Sequence, residues 1–274
     1  MEASRRTQIL LFLALLVYTA FNLVPIVWAG LTSIKLPVDA FTIPPTIFFK
    51  PTFQYHYEIW VEQKFWMYLV NSLIISGAVV LISVPIGTLA AYALSRSRTR
   101  HTRSILFGLL TIRMFPQILL ALPFFIMGGY LNLIDSYLIM ILAIVAINQP
   151  FTIWLMRSFL VDVPIELDEA ARIDGCNNWQ VFWKVILPVV RPGLVVTALF
   201  SLLLSYNEFL FALVLTGSQA KTLPVAIAEY GAEDISYWSL SAAGAVGIML
   251  PIALFMLLVQ RHLVRGLTFG AVKG

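Results

Sequence analysis

The chain has 274 residues, 60% hydrophobic and 12% charged, with 18 basic against 14 acidic side chains and a net charge of +4. Soluble domains carry about 25% charged residues, so a soluble globular fold is excluded, and high hydrophobicity without any Gly or Pro period excludes disorder, collagen and coiled coil. A single cysteine, Cys176, excludes an intrachain disulfide framework and a multi-cysteine metal site, and the dispersed positive charge excludes a nucleic-acid surface.

An integral membrane protein remains. A bilayer core of about 30 Å needs about 20 apolar residues at 1.5 Å per helical residue. Gaps between charges of that order predict six helices, near residues 8–31, 67–94, 104–128, 137–157, 193–216 and 239–260. Helices are required because an open strand cannot satisfy its backbone groups in lipid. The first run is too long for a signal peptide and has no small-x-small cleavage site, so residues 1–31 read as an uncleaved anchoring helix. An outward loop over residues 32–66, rich in Pro and aromatics, leads to a core over residues 67–261 and a tail over residues 262–274. Pro85, Pro116, Pro123 and Pro251 are expected as hinges or packing kinks. With the N-terminus in the cytoplasm, 13 of the 18 Lys and Arg residues fall on inner segments, and the even number of spans returns the C-terminus to the same side.

The inner connection, residues 158–192, is where the sequence becomes specific. Pro164 suits a first helical position, and Glu166, Asp168 and Glu169 suit the positive end of a helix dipole. Gly175 offers the left-handed residue that stops this helix. Asn177 with Gln180 forms a capping box for a second helix, whose Trp179, Phe182, Trp183 and Ile186 read as one apolar stripe ending before Pro188. Helix, glycine turn, helix makes a rigid knob with Ala170 and Ala171 at its tip. By periodicity alone, an amphipathic hairpin lying on the membrane fits as well as a docking device.

Spacing adds a resemblance. Glu169-Ala170-Ala171, three residues, Gly175, nine residues, then Val185-Ile186-Leu187-Pro188 resembles the EAA loop of ABC-importer permeases, here spanning 162–188, with Val185 in place of Ile. Tyr206-Asn207-Glu208-Phe209 with Thr222-Leu-Pro-Val225, and the end Arg265-Gly-Leu-Thr-Phe-Gly, are similar to the smaller, six-span permease of carbohydrate importers of the maltose type. Tyr206 stands where that family has Trp, and Tyr55-His56 where it has Asn-Tyr. The resemblance covers nearly the whole chain. It implies an all-α membrane protein of six transmembrane helices, the type I ABC importer permease fold with a cytoplasmic coupling helix. It also implies alternating access in the cytoplasmic membrane of a bacterium. The implied partners are a homologous second permease, two ABC ATPase subunits that hold ATP and Mg, and an extracytoplasmic solute-binding protein. In that setting Glu169, Ala170, Ala171, Gly175, Leu187 and Pro188 would form the ATPase-coupling surface. The chain is not expected to be an enzyme or to bind a cofactor, since it lacks the Gly-x4-Gly-Lys-Ser/Thr phosphate loop.

Polar residues within the spans need partners, because a charge at mid-bilayer costs about 2.5–3.5 kcal/mol on insertion scales. Glu208, with Asn207 and Tyr206, either lines the solute path or bonds neighbouring helices; Asn148, Gln149 and Asn71 carry the same two readings. Arg113 is expected to snorkel. Two other classes compete: a proton-driven carrier using Glu208 and Arg113, for which internal repeats are missing, and a membrane enzyme, for which no nucleophile–base set or metal motif is present.

Overall fold

A computed structural model describes residues 4–97, 99–233 and 237–268. The chain is helical: α1 (Arg5–Thr32), α2 (Trp66–Arg96), α3 (Arg100–Met114), α4 (Gln117–Tyr130), α5 (Tyr137–Val161), α6 (Glu166–Ile173), α7 (Asn178–Val189), α8 (Arg191–Tyr206), α9 (Leu210–Leu215), α10 (Leu223–Glu233) and α11 (Trp238–Thr268). Two compact units form, Met1–Met67 with Ala226–Leu250, and Tyr68–Val225 with Pro251–Gly274.

In the first unit, α1 starts at Ser4, whose hydroxyl accepts the Thr7 N–H. Its side chains are exposed through Trp28, an apolar surface that suits a helix solvated by lipid. The following loop is held by Lys35, which is fully buried: its ammonium donates to the Thr46 carbonyl at 2.7 Å and lies 4.4 Å from the Trp28 ring centre. Ile59 and Trp60 pack onto Gly244 and Gly247 of α11, so closely that a Cβ at Gly247 would overlap the Trp60 ring.

The second unit has two apolar cores. Ile75 and Val79 of α2, Ala121 of α4, Met140 and Ile144 of α5 and Phe211 and Leu215 of α9 form one. Ala91 of α2, Met156 and Leu160 of α5, Ala171 of α6 and Val181 and Ile186 of α7 form the other. Small and hydroxylated residues fill the seams between helices. The Ser83 and Thr152 hydroxyls meet at 3.3 Å, and a Cβ at Gly87 would sit 2.5 Å from the Thr152 methyl. Close backbone approach of this kind substitutes for hydrophobic drive in a bilayer.

Four helices are long and apolar enough to cross a membrane, Arg5–Thr32, Trp66–Arg96, Tyr137–Val161 and Trp238–Leu257, and bent pairs raise the number to six. The expected third span is not one rod. It divides into α3 and α4, which meet at 89°. Pro116 pushes Phe115 into extended backbone, with ψ 138°, so the helix stops there instead of kinking. Pro85, Pro123 and Pro251 stay inside continuous helices, as expected for packing kinks. The fifth span also departs from expectation: α8 ends at Tyr206, three residues break the helix, and α9 is a separate six-residue piece. At its start, α7 and α8 bend by 80° at Val190. Of the expected tail at 262–274, the backbone continues α11 to Thr268, and the rest lies outside the described residues.

Candidate coupling surface and transport path

The helix–turn–helix over 164–188 forms largely for the local reasons its sequence gives. Gly175 takes φ +86°, and its N–H returns to the Arg172 carbonyl. Asn177 accepts the Gln180 N–H and Gln180 accepts the Asn177 N–H, both at 2.9 Å, completing the capping box. Two details differ. The first helix starts at Glu166 and not at Pro164, whose carbonyl instead accepts the Leu167 N–H. The second contains a π-helical stretch, Val181–Ile186. A π turn aligns residues five apart, so Val181 and Ile186 face inward together with Phe182, while Trp179 and Trp183 remain 61% and 53% exposed. The i, i+3, i+4, i+7 stripe is thereby split between two faces.

The expected coupling residues divide in the same way. Glu169 and Ala170 are exposed on α6, Gly175 is exposed with open space around its Cα, and Pro188 is exposed beside half-buried Leu187. Ala171 instead turns inward at 7% exposure and belongs to the inner core, because residues 170 and 171 are 100° apart on an α-helix. The outward tip is therefore Glu169 and Ala170, with Ile173 86% exposed beyond them.

What holds this helix was not expected from sequence. Asp168, 1% exposed, pairs with Arg96 of α2 (Nη2 to Oδ2, 2.8 Å) and accepts the Tyr92 hydroxyl at 2.5 Å. Arg96 also donates through Nη1 to the carbonyls of Leu160 and Val163, at 3.3 and 3.1 Å. The four-residue spacing of Tyr92 and Arg96 was the available sign, but nothing in the sequence names their partner.

The expected path residues do not form a single cluster. Glu208 and Asn148 line one cleft of about 120 Å³, together with Arg113, Gln117, Phe115 and Leu204. Arg113, exposed at the end of α3, forms part of this wall and lies 4.9 Å from the Phe151 ring centre. Glu208 also accepts the Phe211 N–H at 3.1 Å, and Asn207 returns its amide to the Leu203 carbonyl at 2.9 Å. Glu208 thus satisfies an N–H left free at the start of α9, as a broken helix in lipid requires, whereas the Leu203 carbonyl already accepts the Asn207 backbone N–H. Asn148 donates to the Ser201 hydroxyl, and its Oδ1 is buried without a partner. Gln149 donates to the Ser83 carbonyl at 3.3 Å, away from the cleft. Tyr206 is 3% exposed, too buried to present a stacking face.

Asn71 has a different role. Its amide donates to the carbonyls of Gln219 and Lys221, at 2.9 and 2.8 Å, and its Oδ1 accepts the Tyr137 hydroxyl at 2.6 Å. Every bonding group of the side chain is engaged, so it clamps the 216–222 loop. The same loop is held by Asp135, whose carboxylate accepts the N–H groups of Gly217, Ser218, Gln219 and Ala220 at 2.8–3.1 Å. Partial burial of Asp135 opposes its ionisation, but these four donors outweigh that and hold its carboxyl below the usual carboxylate range. Among the described residues, no group of three or more His, Cys, Asp or Glu side chains could hold a metal ion.

The fold is shared with solved structures, and the sequence with known proteins. A bacterial ABC transporter involved in the import of the acidic polysaccharide alginate matches with a TM-score of 0.73 at 24% identity, over 95% of this chain and 99% of that one. A probable ABC transporter permease protein of Sinorhizobium fredii is 37% identical over 99% of this chain and 98% of its own length. The trehalose transport system permease protein of Mycobacterium tuberculosis is 36% identical over 93% of each chain. The family model for the binding-protein-dependent transport system inner membrane component matches residues 83–269, a stretch that includes the 164–188 hairpin and the α8–α9 break. The chain belongs to that family: it is a multi-pass inner-membrane permease subunit of an ABC importer, and not an enzyme.

Proposed function

We propose that this permease moves a carbohydrate or sugar derivative inward by alternating access, and that α6 receives the stroke from an ABC ATPase. The observation that carries this is the two-sided character of α6. Glu169 and Ala170 face outward, free for a partner, while Asp168 and Ala171 on the opposite side are fixed to the bundle. A small residue beside a carboxylate suits close seating of a second protein with an arginine opposite Glu169. Gly175 sets the turn of the hairpin, and Pro188, expected to end the second helix, lies within its last turn, which runs on to Val189.

The partners follow from that reading: two ATPases carrying ATP and Mg, a homologous second permease, and an extracytoplasmic binding protein. The hairpin then lies on the cytoplasmic side with both termini, and residues 32–66 and 216–222 face outward. The trehalose transport relative supports a sugar-type solute. Within the membrane, the cleft bearing Glu208, Asn148, Arg113 and Gln117 supplies donors and acceptors suited to hydroxyl groups. An exposed arginine and a half-buried glutamate in such an apolar stretch need water or protein around them, which supports a path over a lipid face.

The test uses the transporter assembled with its ATPases in proteoliposomes. Glu169→Lys is expected to leave the permease inserted and to abolish solute-stimulated ATP hydrolysis. Normal uptake by that variant refutes the coupling role. Calorimetry of the binding protein encoded alongside, titrated with trehalose, maltose and a polyol, tests the solute class; binding of none of them overturns it.

A further inference from the structure

We infer that Arg96, Asp168 and Tyr92 form a positioning lock that makes α6 and α2 move together, so that displacement of the docking face reaches a membrane-spanning helix instead of being absorbed in the connecting turns. This rests on the coupling reading of α6. An eight-residue helix joined on one side through residues 162–165 and on the other through Gly175, at φ +86°, could tilt by itself if only its ends held it. The lock removes that freedom. Asp168 sits beside Glu169 in sequence but points the opposite way, into the bundle at 1% exposure. Its two carboxylate oxygens are divided between Arg96 Nη2, at 2.8 Å, and the Tyr92 hydroxyl, at 2.5 Å.

Arg96 ties more than one pair. Its Nη1 reaches the Leu160 and Val163 carbonyls, so one guanidinium fastens the last turn of α2, the last turn of α5 and the α6 helix. A rigid guanidinium meets a carboxylate and two carbonyls from one position, through the ion pair at Nη2 and hydrogen bonds at Nη1; an ammonium reaches some of them and not all. Tyr92 lies one turn earlier on the same face of α2, and its ring packs on Phe182 of α7 at 5.2 Å, which carries the fastening into the second helix of the hairpin. Separating a buried charge pair strands both ions in an apolar surrounding, so the lock is either closed or broken, with no cheap intermediate.

The experiment places spin labels at Ile173→Cys on α6 and Leu81→Cys on α2, both strongly exposed, in a Cys176→Ser background within the assembled transporter. The lock predicts one narrow label-to-label distance that is the same with and without ATP. Asp168→Asn is expected to broaden it and to lower the stimulation of ATP turnover by solute-loaded binding protein about tenfold, within the range of coupling between linked sites. Arg96→Lys keeps the charge and is expected to fall between the two in both readouts. Should Asp168→Asn fail to accumulate in the membrane, Tyr92→Phe removes a single hydroxyl and is expected to broaden the distance measurably. A narrow distance together with native stimulation in Asp168→Asn, or in both Tyr92→Phe and Arg96→Lys, overturns the lock. If Glu169→Lys is inactive while those variants behave as native, the lock alone has failed; if Glu169→Lys transports normally, the coupling reading has failed first.

Discussion

The carboxylate of Asp135, in the turn between α4 and α5, gathers four successive backbone N–H groups from residues that lie more than 80 positions along the chain. Asn71 completes the hold by donating to two carbonyls of the same loop. Together they preorganise an otherwise exposed connection. Asp135→Ala should therefore remove hydrogen-exchange protection from residues 217–220 while leaving α5 protected; unchanged protection in that loop would show the latch to be idle. The pH dependence has a definite sign. A carboxyl held below its ordinary range contributes stability that is fully present above the ordinary pKa and is lost as pH falls through the lowered one. Loop protection should thus be constant from neutral to mildly acidic pH and fall only beneath the usual carboxylate range. Gly193 is a second position where one atom decides. A Cβ there would lie 2.4 Å from the Phe159 ring, so Gly193→Val should destabilise the detergent-purified protein by about 1–3 kcal/mol, read as a fall in Tm.

Among the elements, α7 shows how a helix type can redirect a sequence pattern. Trp179, Phe182, Trp183 and Ile186 satisfy a 3.6-residue stripe, yet the π stretch rotates the two tryptophans outward and leaves Val181, Phe182 and Ile186 in the core. Phe182→Ala should then cost about 3–5 kcal/mol of stability, because its ring is 3% exposed and packs on Tyr92. Trp183→Ala should cost no more than about 1.5 kcal/mol, the worth of its edge contact with Phe182. Equal losses in a thermal assay would mean that both rings are core. The break between α8 and α9 is a second case. In the sequence Asn207 and Glu208 read equally well as solute ligands and as bonds to neighbouring helices; in the structure Asn207 donates within its own helix, and Glu208 accepts the Phe211 N–H and lines the cleft.

At the scale of the whole molecule, the proposed function has this permease subunit take its energy from an ATPase seated on the exposed face of α6. Uptake in vesicles should collapse when the ATPases are omitted and should survive dissipation of the proton gradient when ATP is present. The reverse pattern would favour a proton-driven carrier using Glu208 and Arg113. Thiol labelling from outside the membrane should reach a cysteine placed at Ser218 and not one placed at Ile173, and the opposite result would invert the proposed orientation.

Composition and the spacing of charges determined by themselves that this is a helical membrane protein, since the length of an apolar run against bilayer thickness is a one-dimensional quantity. The glycine turn at 175, the Asn177–Gln180 box and the EAA spacing were also legible, because caps and turns act over three or four residues. Only the tertiary structure decided which side of α6 is exposed, that Ala171 belongs to the core, that Asp168 closes on Arg96 and Tyr92, and that Asn71 and Asp135 hold the 216–222 loop. Each of those depends on a group more than 70 residues away in the chain, and hydrophobic periodicity carries no record of which distant donor a buried acceptor will meet.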